Sequence, residues 1–329
     1  MAITLDGTTG VTFATWTTAQ RPTSPTSGQM GFNTTLGYIE YYNISSSTWV
    51  PSISLTVPIT YLLVGGGGAG GTNEPNPDGD AGGGGGAGGY LTDTLNLLPG
   101  ITYTITVGAG GTGSSNAAVQ STAGSNTSIS GSYLATITAV GGGYGGNDDT
   151  TSNAGSGGSG GGAGSYYQGN GVPGTGTYPG SSAFYTPLRQ GFDGAGTTNG
   201  QIGTRAGAGG GGSASAGSTR SGNTGGAGGG GTSNGLSGSI VTYAAGGSGG
   251  TVGTSGSNGA AGAANTGNGG GGSSPRNNAG VAFAGGNGGS GIAIIVSQQA
   301  AVSTTGSPTI TTSNGFYIYR FTSSGTITF

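Results

Sequence analysis

The decapeptide GSGGSGGGAG at Gly155–Gly164 represents the kind of stretch that decides the fold of this chain. Comparable runs recur at Gly65–Gly71, Gly82–Gly89, Gly207–Gly212, Gly225–Gly231 and Gly269–Gly272. Glycine supplies 85 of the 329 residues, far above the roughly 7% that is usual in proteins. Such a Gly/Ser-rich sequence is typical of linkers or disorder. Between the runs, however, lie short β-branched segments such as Ile101–Val107, and these predict strands.

The backbone itself has to stabilise these tracts, because glycine has no side chain to bury and each glycine costs about 0.5–1 kcal/mol more backbone entropy than alanine. Extended left-handed helices have three residues per turn and no internal hydrogen bonds, so their polar groups bond to neighbours. Collagen is excluded, since there is no strict G-X-Y period and only 12 Pro. We therefore predict an all-β protein with a packed bundle of polyglycine II helices. The alternative is a set of flexible glycine loops.

Composition narrows the possible functions. Charged residues make up 5% of the chain, the net charge is −3, and His and Cys are absent. The sequence also contains no Lys, so it offers no basic patch for nucleic acid or for an anionic membrane surface. Triads that need His or Cys and phosphate loops that need Lys are excluded. We expect no enzymatic activity, no cofactor, no secretory signal peptide and no membrane-inserted segment.

Two domains are predicted. Residues 1–57 contain aromatic strands on either side of a turn at Thr34–Gly37 and a second turn at Asn43–Ser47, which indicates a small β meander for attachment or oligomerisation. Residues 58–329 combine β strands with the glycine tracts.

Within residues 58–329, Ile59–Val64 is continuously apolar and predicts a buried strand. We expect Ile101–Val107, Asn126–Ser130 and Tyr133–Val140 to complete one sheet with it. The final residues, FYIYRFTSSGTITF at Phe316–Phe329, are predicted to form a hairpin that turns at Ser323–Gly325.

Residues 165–193 form an aromatic, Pro-containing island between glycine tracts. Exposed rings with hydroxyl groups suit the flat faces of sugars, so we predict a receptor-binding site there. Its candidate residues are Tyr166, Tyr167, Tyr178, Phe184, Tyr185, Arg189, Phe192 and Asp193. Such bulky residues do not fit a close-packed glycine bundle, so the island is expected to loop out, and its deletion is expected to leave the fold intact. The alternative is a cap or a subunit contact.

Carboxylates near the glycine tracts are candidate ligands for a calcium ion. Glu74, Asp78 and Asp80 carry oxygen ligands of the kind that calcium prefers, and Gly142–Asp149 weakly resembles a calcium-binding nonapeptide. The unit is not repeated, and these positions are expected to be solvated turns, so no metal site is predicted. For Arg205, Arg220 and Arg276, pairing with surface carboxylates is favoured over binding of acidic glycans.

Two segments resemble known phage proteins. Arg21–Val50, RPTSPTSGQMGFNTTLGYIEYYNISSSTWV, resembles a segment of bacteriophage tail-fibre and structural proteins. Residues 58–329 resemble the glycine-rich domain of phage tail-fibre and adhesin proteins. The matching pieces include YLLVGGGGAGG, PGITYTITVGAGG, GGSGIAIIV and YRFTSSGTITF in that order. An insertion at Ser297–Gly315 departs from the usual pattern. The resemblance implies a β-sandwich-like frame that carries packed glycine helices and recognises a host surface.

From these features we expect a virion protein, a tail-fibre or tail-tip adhesin. Its loops would bind a host cell-surface glycan or an outer-membrane protein. Its N-terminal module would contact other virion proteins and form a homotrimer, with no nucleic acid and no membrane insertion involved. The alternatives are a structural virion component, such as a head fibre or decoration protein, and an ice-binding protein.

Overall fold

The computed structural model describes residues 5–6, 10–11, 13–52, 56–75, 79–148, 153–165, 171–176, 189–197, 205–276 and 280–329. Within these residues the protein is all-β, as predicted, with one short 3-10 helix at Thr18–Gln20. No helix among them is long and apolar enough to cross a bilayer. The strands are β1 (Leu5–Asp6), β2 (Gly10–Val11), β3 (Thr15–Trp16), β4 (Met30–Asn33), β5 (Tyr38–Asn43), β6 (Thr48–Pro51), β7 (Val57–Val64), β8 (Tyr90–Leu97), β9 (Thr102–Thr106), β10 (Thr127–Gly131), β11 (Leu134–Ala139), β12 (Thr232–Asn234), β13 (Val241–Tyr243), β14 (Ile292–Ser297), β15 (Ser303–Thr304), β16 (Thr309–Ser313), β17 (Phe316–Phe321) and β18 (Gly325–Thr328).

The N-terminal module contains a four-stranded sheet in the order β3-β4-β5-β6. Strands β4, β5 and β6 pair antiparallel in succession, which confirms the predicted meander, while β3 pairs parallel to β4. Gly37 and Ser47 end the two turns with positive φ angles of 74° and 52°. The turn between β5 and β6 therefore brings Tyr42 beside Trp49, with ring centres 5.6 Å apart. The Trp49 ring also meets the ring of Trp16, in the edge strand β3, edge to face at 4.9 Å.

A carboxylate lies at the centre of this module. Glu40 is fully buried, and its Oε2 accepts a 2.6 Å hydrogen bond from Arg21 Nη2 within an ion pair. Its Oε1 accepts hydrogen bonds from Arg21 Nε at 2.9 Å, Trp16 Nε1 at 2.6 Å and Asn33 Nδ2 at 3.0 Å. These bonds connect the strands β3, β4 and β5 and the segment that precedes β4. Two residues of the segment Arg21–Val50, Arg21 and Asn33, thus donate hydrogen bonds to one buried carboxylate.

We predict that the stability of the N-terminal module falls in acid. Burial acts to raise the pKa of Glu40, but hydrogen bonds from Arg21, Trp16 and Asn33 outweigh it, and its pKa lies below the ordinary value. This contribution to stability is present above the unfolded pKa of about 4.3 and is lost as pH falls through the lower folded pKa. Tryptophan fluorescence during denaturant unfolding at a series of pH values measures it. Glu40→Gln should abolish this dependence, and an acid-insensitive wild-type module would contradict the prediction.

Two five-stranded sheets, in the orders β16-β17-β14-β7-β8 and β11-β10-β9-β18-β15, form the frame of the rest of the chain. The prediction that β7, β9, β10 and β11 share one sheet is therefore wrong. The reason is that both edges of β7 are occupied, by β14 and β8, while β9 pairs with β10 and β18 in the other sheet. Residues of both sheets, including Leu63 of β7 and Ile129 of β10, contribute to one apolar cluster.

The predicted C-terminal hairpin is also wrong. Strand β17 pairs with β14 and β16, whereas β18 pairs with β9 and β15 in the other sheet. The hairpin is instead β16–β17, across Asn314 and Gly315, whose φ angles are 49° and 80°. An Asn-Gly pair with two positive φ angles is the preferred two-residue hairpin turn. The insertion at Ser297–Gly315 thus supplies β15 and β16, one strand for each sheet.

The glycine tracts are hydrogen-bonded to one another through their backbones. In the tract that follows β7, three successive N–H groups donate to three different tracts, and the next three repeat the same order of tracts. The bonds run from Gly66, Gly67 and Gly68 to Ser125, Gly289 and Gly86, and from Ala69, Gly70 and Gly71 to Thr122, Gly286 and Gly83, all at 2.8–3.1 Å. The carbonyls of the same tract accept from Gly142, Gly111 and Gly270 in three further tracts. One tract therefore has six bonded neighbours, and its partners change with a period of three residues.

The spacing of the tracts explains why glycine is required. A Cβ added at Gly84 would stand 2.0 Å from the carbonyl oxygen of Gly247, and one at Gly70 would stand 2.0 Å from that of Gly271. Two of the tract positions that carry alanine instead, Ala87 and Ala163, are fully buried. The tracts are thus held by bonds between backbones in close contact rather than by side-chain packing.

Candidate functional site

The tracts have two distinct ends. At the sheet end they join the strands directly: Gly65 follows β7, Gly89 precedes β8 and Gly291 precedes β14. At the other end, which we call the distal end, the chain turns from one tract to the next near Asn73 and Ala81. Residues placed at one end are therefore separated from the other end by the length of a tract.

The described residues of the aromatic island lie at both ends of the tracts. Ser165 and Gly171 lie at the distal end, where Ser165 N–H donates to Ala81 O and Gly171 N–H donates to Thr197 Oγ1. Gly176 lies toward the sheet end. The six-residue tract 171–176 connects it to Gly171 at the distal end and spans about 15 Å of extended backbone. Of the predicted site residues, Tyr166, Tyr167, Tyr178, Phe184 and Tyr185 lie outside the described residues.

The other three predicted site residues, Arg189, Phe192 and Asp193, come together near the sheet end. The Arg189 guanidinium carbon stands 3.6 Å from the centre of the Phe192 ring, and Arg189 Nε donates to Gly191 O at 2.9 Å. Asp193 is exposed, and its Oδ1 accepts a 2.7 Å hydrogen bond from Gly176 N. The exposed guanidinium of Arg189 thus stacks on the half-buried ring of Phe192, and the carboxylate of Asp193 follows in the chain. These groups together are able to contact a flat polar ligand.

The expectation that the whole island lies outside the bundle is wrong for its last residues. Phe192 N–H donates to Gly212 O, and Phe192 O accepts from Gly160 N, so the backbone of Phe192 belongs to a tract. This is possible because only the backbone has to fit between tracts while the ring points to a partly open side. Deletion of residues 165–193 would remove bonded tract backbone, so we no longer expect it to leave the fold intact.

Gln190 is the residue that sequence reasoning missed. It is almost fully buried; its Oε1 accepts from Val140 N at 2.8 Å and its Nε2 donates to Thr138 O at 3.0 Å. Its carbonyl accepts from Tyr90 N at the start of β8. Gln190 thus fixes the Arg189–Phe192 pair to the ends of β8 and β11. Nothing in the sequence distinguishes this Gln from an exposed one.

We predict that Gln190→Ala lowers the free energy of unfolding by about 2 kcal/mol, because the half-buried Val140 N–H and Thr138 C=O lose the hydrogen bonds that the buried Gln190 side chain supplies. The same change should increase hydrogen exchange at the Val140 amide, which NMR or mass spectrometry can measure. Gln299→Ala, at an exposed glutamine, is the matched control and should leave both quantities unchanged. Equal effects of the two substitutions would contradict the anchoring role.

One of the acidic residues at the distal end, Asp80, is not solvated, contrary to expectation. Asp80 is buried, and its Oδ1 accepts a 3.0 Å hydrogen bond from Ser165 Oγ. Arg220 Nη1 donates to the same Ser165 Oγ at 3.0 Å and to Ala206 O at 3.1 Å. Burial lowers the pKa of Arg220, and the charge of Asp80 opposes that shift. Arg220 is therefore linked to a buried carboxylate, not to a surface one.

The nonapeptide-like segment is structural as well. Asn147 is fully buried, with its Oδ1 accepting from Thr72 N and its Nδ2 donating to Ala117 O. Asp148 is buried and accepts from Glu74 N at 3.2 Å. No group of three potential metal-ligating side chains occurs in the described part of the chain, while Asp78 and Asp149 lie outside it.

Comparison with known families gives one result for this architecture. The family model of the glycine-rich domain matches residues 44–298, which is more than half of the 329 residues. Neither the curated proteins nor the solved structures contain a match. The matched range includes every glycine run named above and the strands from β6 to β14. The chain therefore belongs to the glycine-rich domain family.

Proposed function

We propose that the glycine tracts form a bundle of polyglycine II helices on a β-sandwich-like frame. The three-residue period of hydrogen-bond partners supports this, because a polyproline II-type helix has three residues per turn and directs successive polar groups in three directions. Six bonded neighbours around one tract match the hexagonal packing expected of such helices. The apolar cluster shared by the two five-stranded sheets supports a sandwich-like arrangement.

On this scaffold we propose that the protein acts as a phage tail-fibre or tail-tip adhesin located in the virion. The observation that carries the proposal is the bonding between glycine tracts. Backbone hydrogen bonds, which need no side chains, fix the ends of the segments that connect one tract to the next. Connections on a rigid scaffold are free to vary in sequence and are where binding residues concentrate. The receptor is a host cell-surface glycan or outer-membrane protein, and the N-terminal module contacts other virion proteins.

Binding of labelled full-length protein to candidate host cells tests this function. Two variants replace residues 166–170 and 177–188, separately, with Gly/Ser segments of equal length that keep the tract ends Ser165, Gly171, Gly176 and Arg189. A third variant replaces residues 198–204, which contain no aromatic residue, as the matched control. We expect saturable binding that one or both aromatic replacements abolish and the control retains.

The opposite result would change the functional assignment. If wild-type protein binds no host and is found along the head or tail shaft of the virion, the protein is a structural component. If all three replacements bind as wild type does, the receptor site lies elsewhere on the molecule.

The proposed homotrimer has a separate test. The N-terminal module predicted at residues 1–57 is too small to bury a large core alone, which favours association through it. Sedimentation equilibrium of the full chain should give three times the chain mass of 30.8 kDa. A monomeric mass at micromolar concentration would contradict the trimer without affecting the proposed attachment role.

A further inference from the structure

The first large sheet carries an open groove away from the glycine bundle. The groove has a volume of about 600 Å³ and lies over the β14, β7 and β8 strands at the end where β7 begins. This volume is within the range of about 300–1,000 Å³ that is usual for small-ligand sites. The face continues the side of β7 that carries Leu62 and Val64, which Tyr243 of β13 packs against. The groove begins where this packing stops.

The apolar part of the groove is formed by Phe316, Val296 and Pro58. The ring of Phe316 is 39% exposed, unlike Phe321 in the same strand, which is fully buried. Exposure of a large ring at a groove wall leaves a flat apolar surface uncovered. Such a surface suits the apolar face of a sugar ring, which stacks on aromatic side chains.

Four polar side chains line the same groove: Thr60, Thr94, Asn96 and Gln298. Strand pairing places Thr60 beside Thr94 and Pro58 beside Asn96, so the groups stand at the regular spacing of neighbouring strands, about 4.8 Å. In the described part of the chain none of these four side chains makes a hydrogen bond. Their donors and acceptors are therefore available to a ligand.

The groove lining contains no charged residue. Hydroxyl and amide groups both donate and accept, which matches the hydroxyl groups of a neutral sugar. An anionic ligand would find no cation here to offset its loss of hydration, and a cationic one would find no carboxylate. The chemistry of the lining thus selects for an uncharged, hydroxyl-rich ligand.

We propose that this groove binds a neutral saccharide, with one sugar ring stacked on Phe316 and its hydroxyl groups hydrogen-bonded to Asn96, Gln298, Thr60 and Thr94. The inference rests on the proposed attachment function and deepens it. It names the receptor class as a neutral glycan and adds a binding site that is separate from the aromatic island.

An array of neutral and acidic oligosaccharides, probed with purified full-length protein, tests the groove without cells. We expect binding to neutral members, weakened at least tenfold by Phe316→Ala and largely retained by Phe316→Tyr. Tyr133→Ala is the matched control, because Tyr133 is a 78% exposed ring outside the groove, and it should bind as wild type does. Thermal unfolding of each variant checks that the fold is intact.

The outcomes separate the groove from the proposed attachment function. No binding to neutral saccharides, a preference for acidic ones, or unchanged binding by folded Phe316→Ala would overturn the saccharide site. Host-cell attachment that persists in Phe316→Ala, with no saccharide bound, would leave the adhesin proposal standing and the groove proposal wrong. Saccharide binding that depends on Phe316, without attachment to any host cell, would support the groove proposal and contradict the adhesin proposal.

Discussion

Gly84→Ala should destabilise the glycine region by about 3 kcal/mol or more, although it adds a single methyl group. The new Cβ would stand 2.0 Å from Gly247 O and 2.8 Å from Ser248 O, both backbone atoms. Relief requires the tract of Gly247 to move, and that carbonyl also accepts the 2.9 Å hydrogen bond from Gly210 N. Overpacking of this kind costs about 1–3 kcal/mol, and each lost backbone bond adds about 1 kcal/mol.

Gly230→Ala is the matched control within another tract. Its Cβ would meet nothing closer than Ser215 Oγ at 3.5 Å, an ordinary contact distance, and Gly230 does not have a positive φ. The substitution should leave stability unchanged or raise it by about 0.4–1 kcal/mol, because alanine restricts the unfolded chain more than glycine does. Denaturant unfolding followed by far-UV circular dichroism measures both variants. If Gly84→Ala and Gly230→Ala unfold at the same denaturant concentration, the tracts are not packed as described.

Glu40→Ala should destabilise the N-terminal module by about 3 kcal/mol. The substitution removes the acceptor for Trp16 Nε1, Asn33 Nδ2 and the Arg21 guanidinium together. Breaking a buried ion pair costs about 3–5 kcal/mol, and the lower end applies because 26% of the Arg21 side chain stays exposed. The unpaired cation can therefore recover part of its hydration.

Tryptophan fluorescence isolates this effect, since the only two Trp residues of the chain, Trp16 and Trp49, both lie in the module. Circular dichroism follows the glycine region in the same samples and should not change. Asp93→Ala is the control, because Asp93 is an exposed carboxylate outside the module, and its effect should stay within about 0.5 kcal/mol. A fluorescence transition of Glu40→Ala that coincides with that of the wild type would show that the buried network contributes no stability.

Local patterns predicted the elements with short-range causes. The apolar run of Ile59–Val64 lies within β7, and the turns at Thr34–Gly37 and Asn43–Ser47 separate β4, β5 and β6. These features depend on burial periodicity and on turn residues a few positions apart, which a sequence displays directly. The need for backbone bonding between glycine tracts was also predictable, because glycine offers no other means of stabilisation.

The pairing of distant elements was not predictable in the same way. Strand β18 follows β17 after three residues, yet it joins the other sheet, because β17 already pairs with β16 and β14 on its two edges. Only the occupation of edges by the rest of the chain decides between the two sheets.

The candidate site shows the same division. The sequence determined which residue types are available, and it placed Arg189, Phe192 and Asp193 close together simply by their spacing in the chain. Tertiary structure alone decided that the flanks of the island lie at opposite ends of the tracts, that Gln190 is buried, and that Phe316, Asn96 and Gln298 line one groove. Composition and local patterning thus determine an all-β chain with bonded glycine tracts. Register and edge pairing decide where its surfaces are, between segments more than two hundred residues apart such as β7 and β14. The energies of these pairings exist only once the chain is folded.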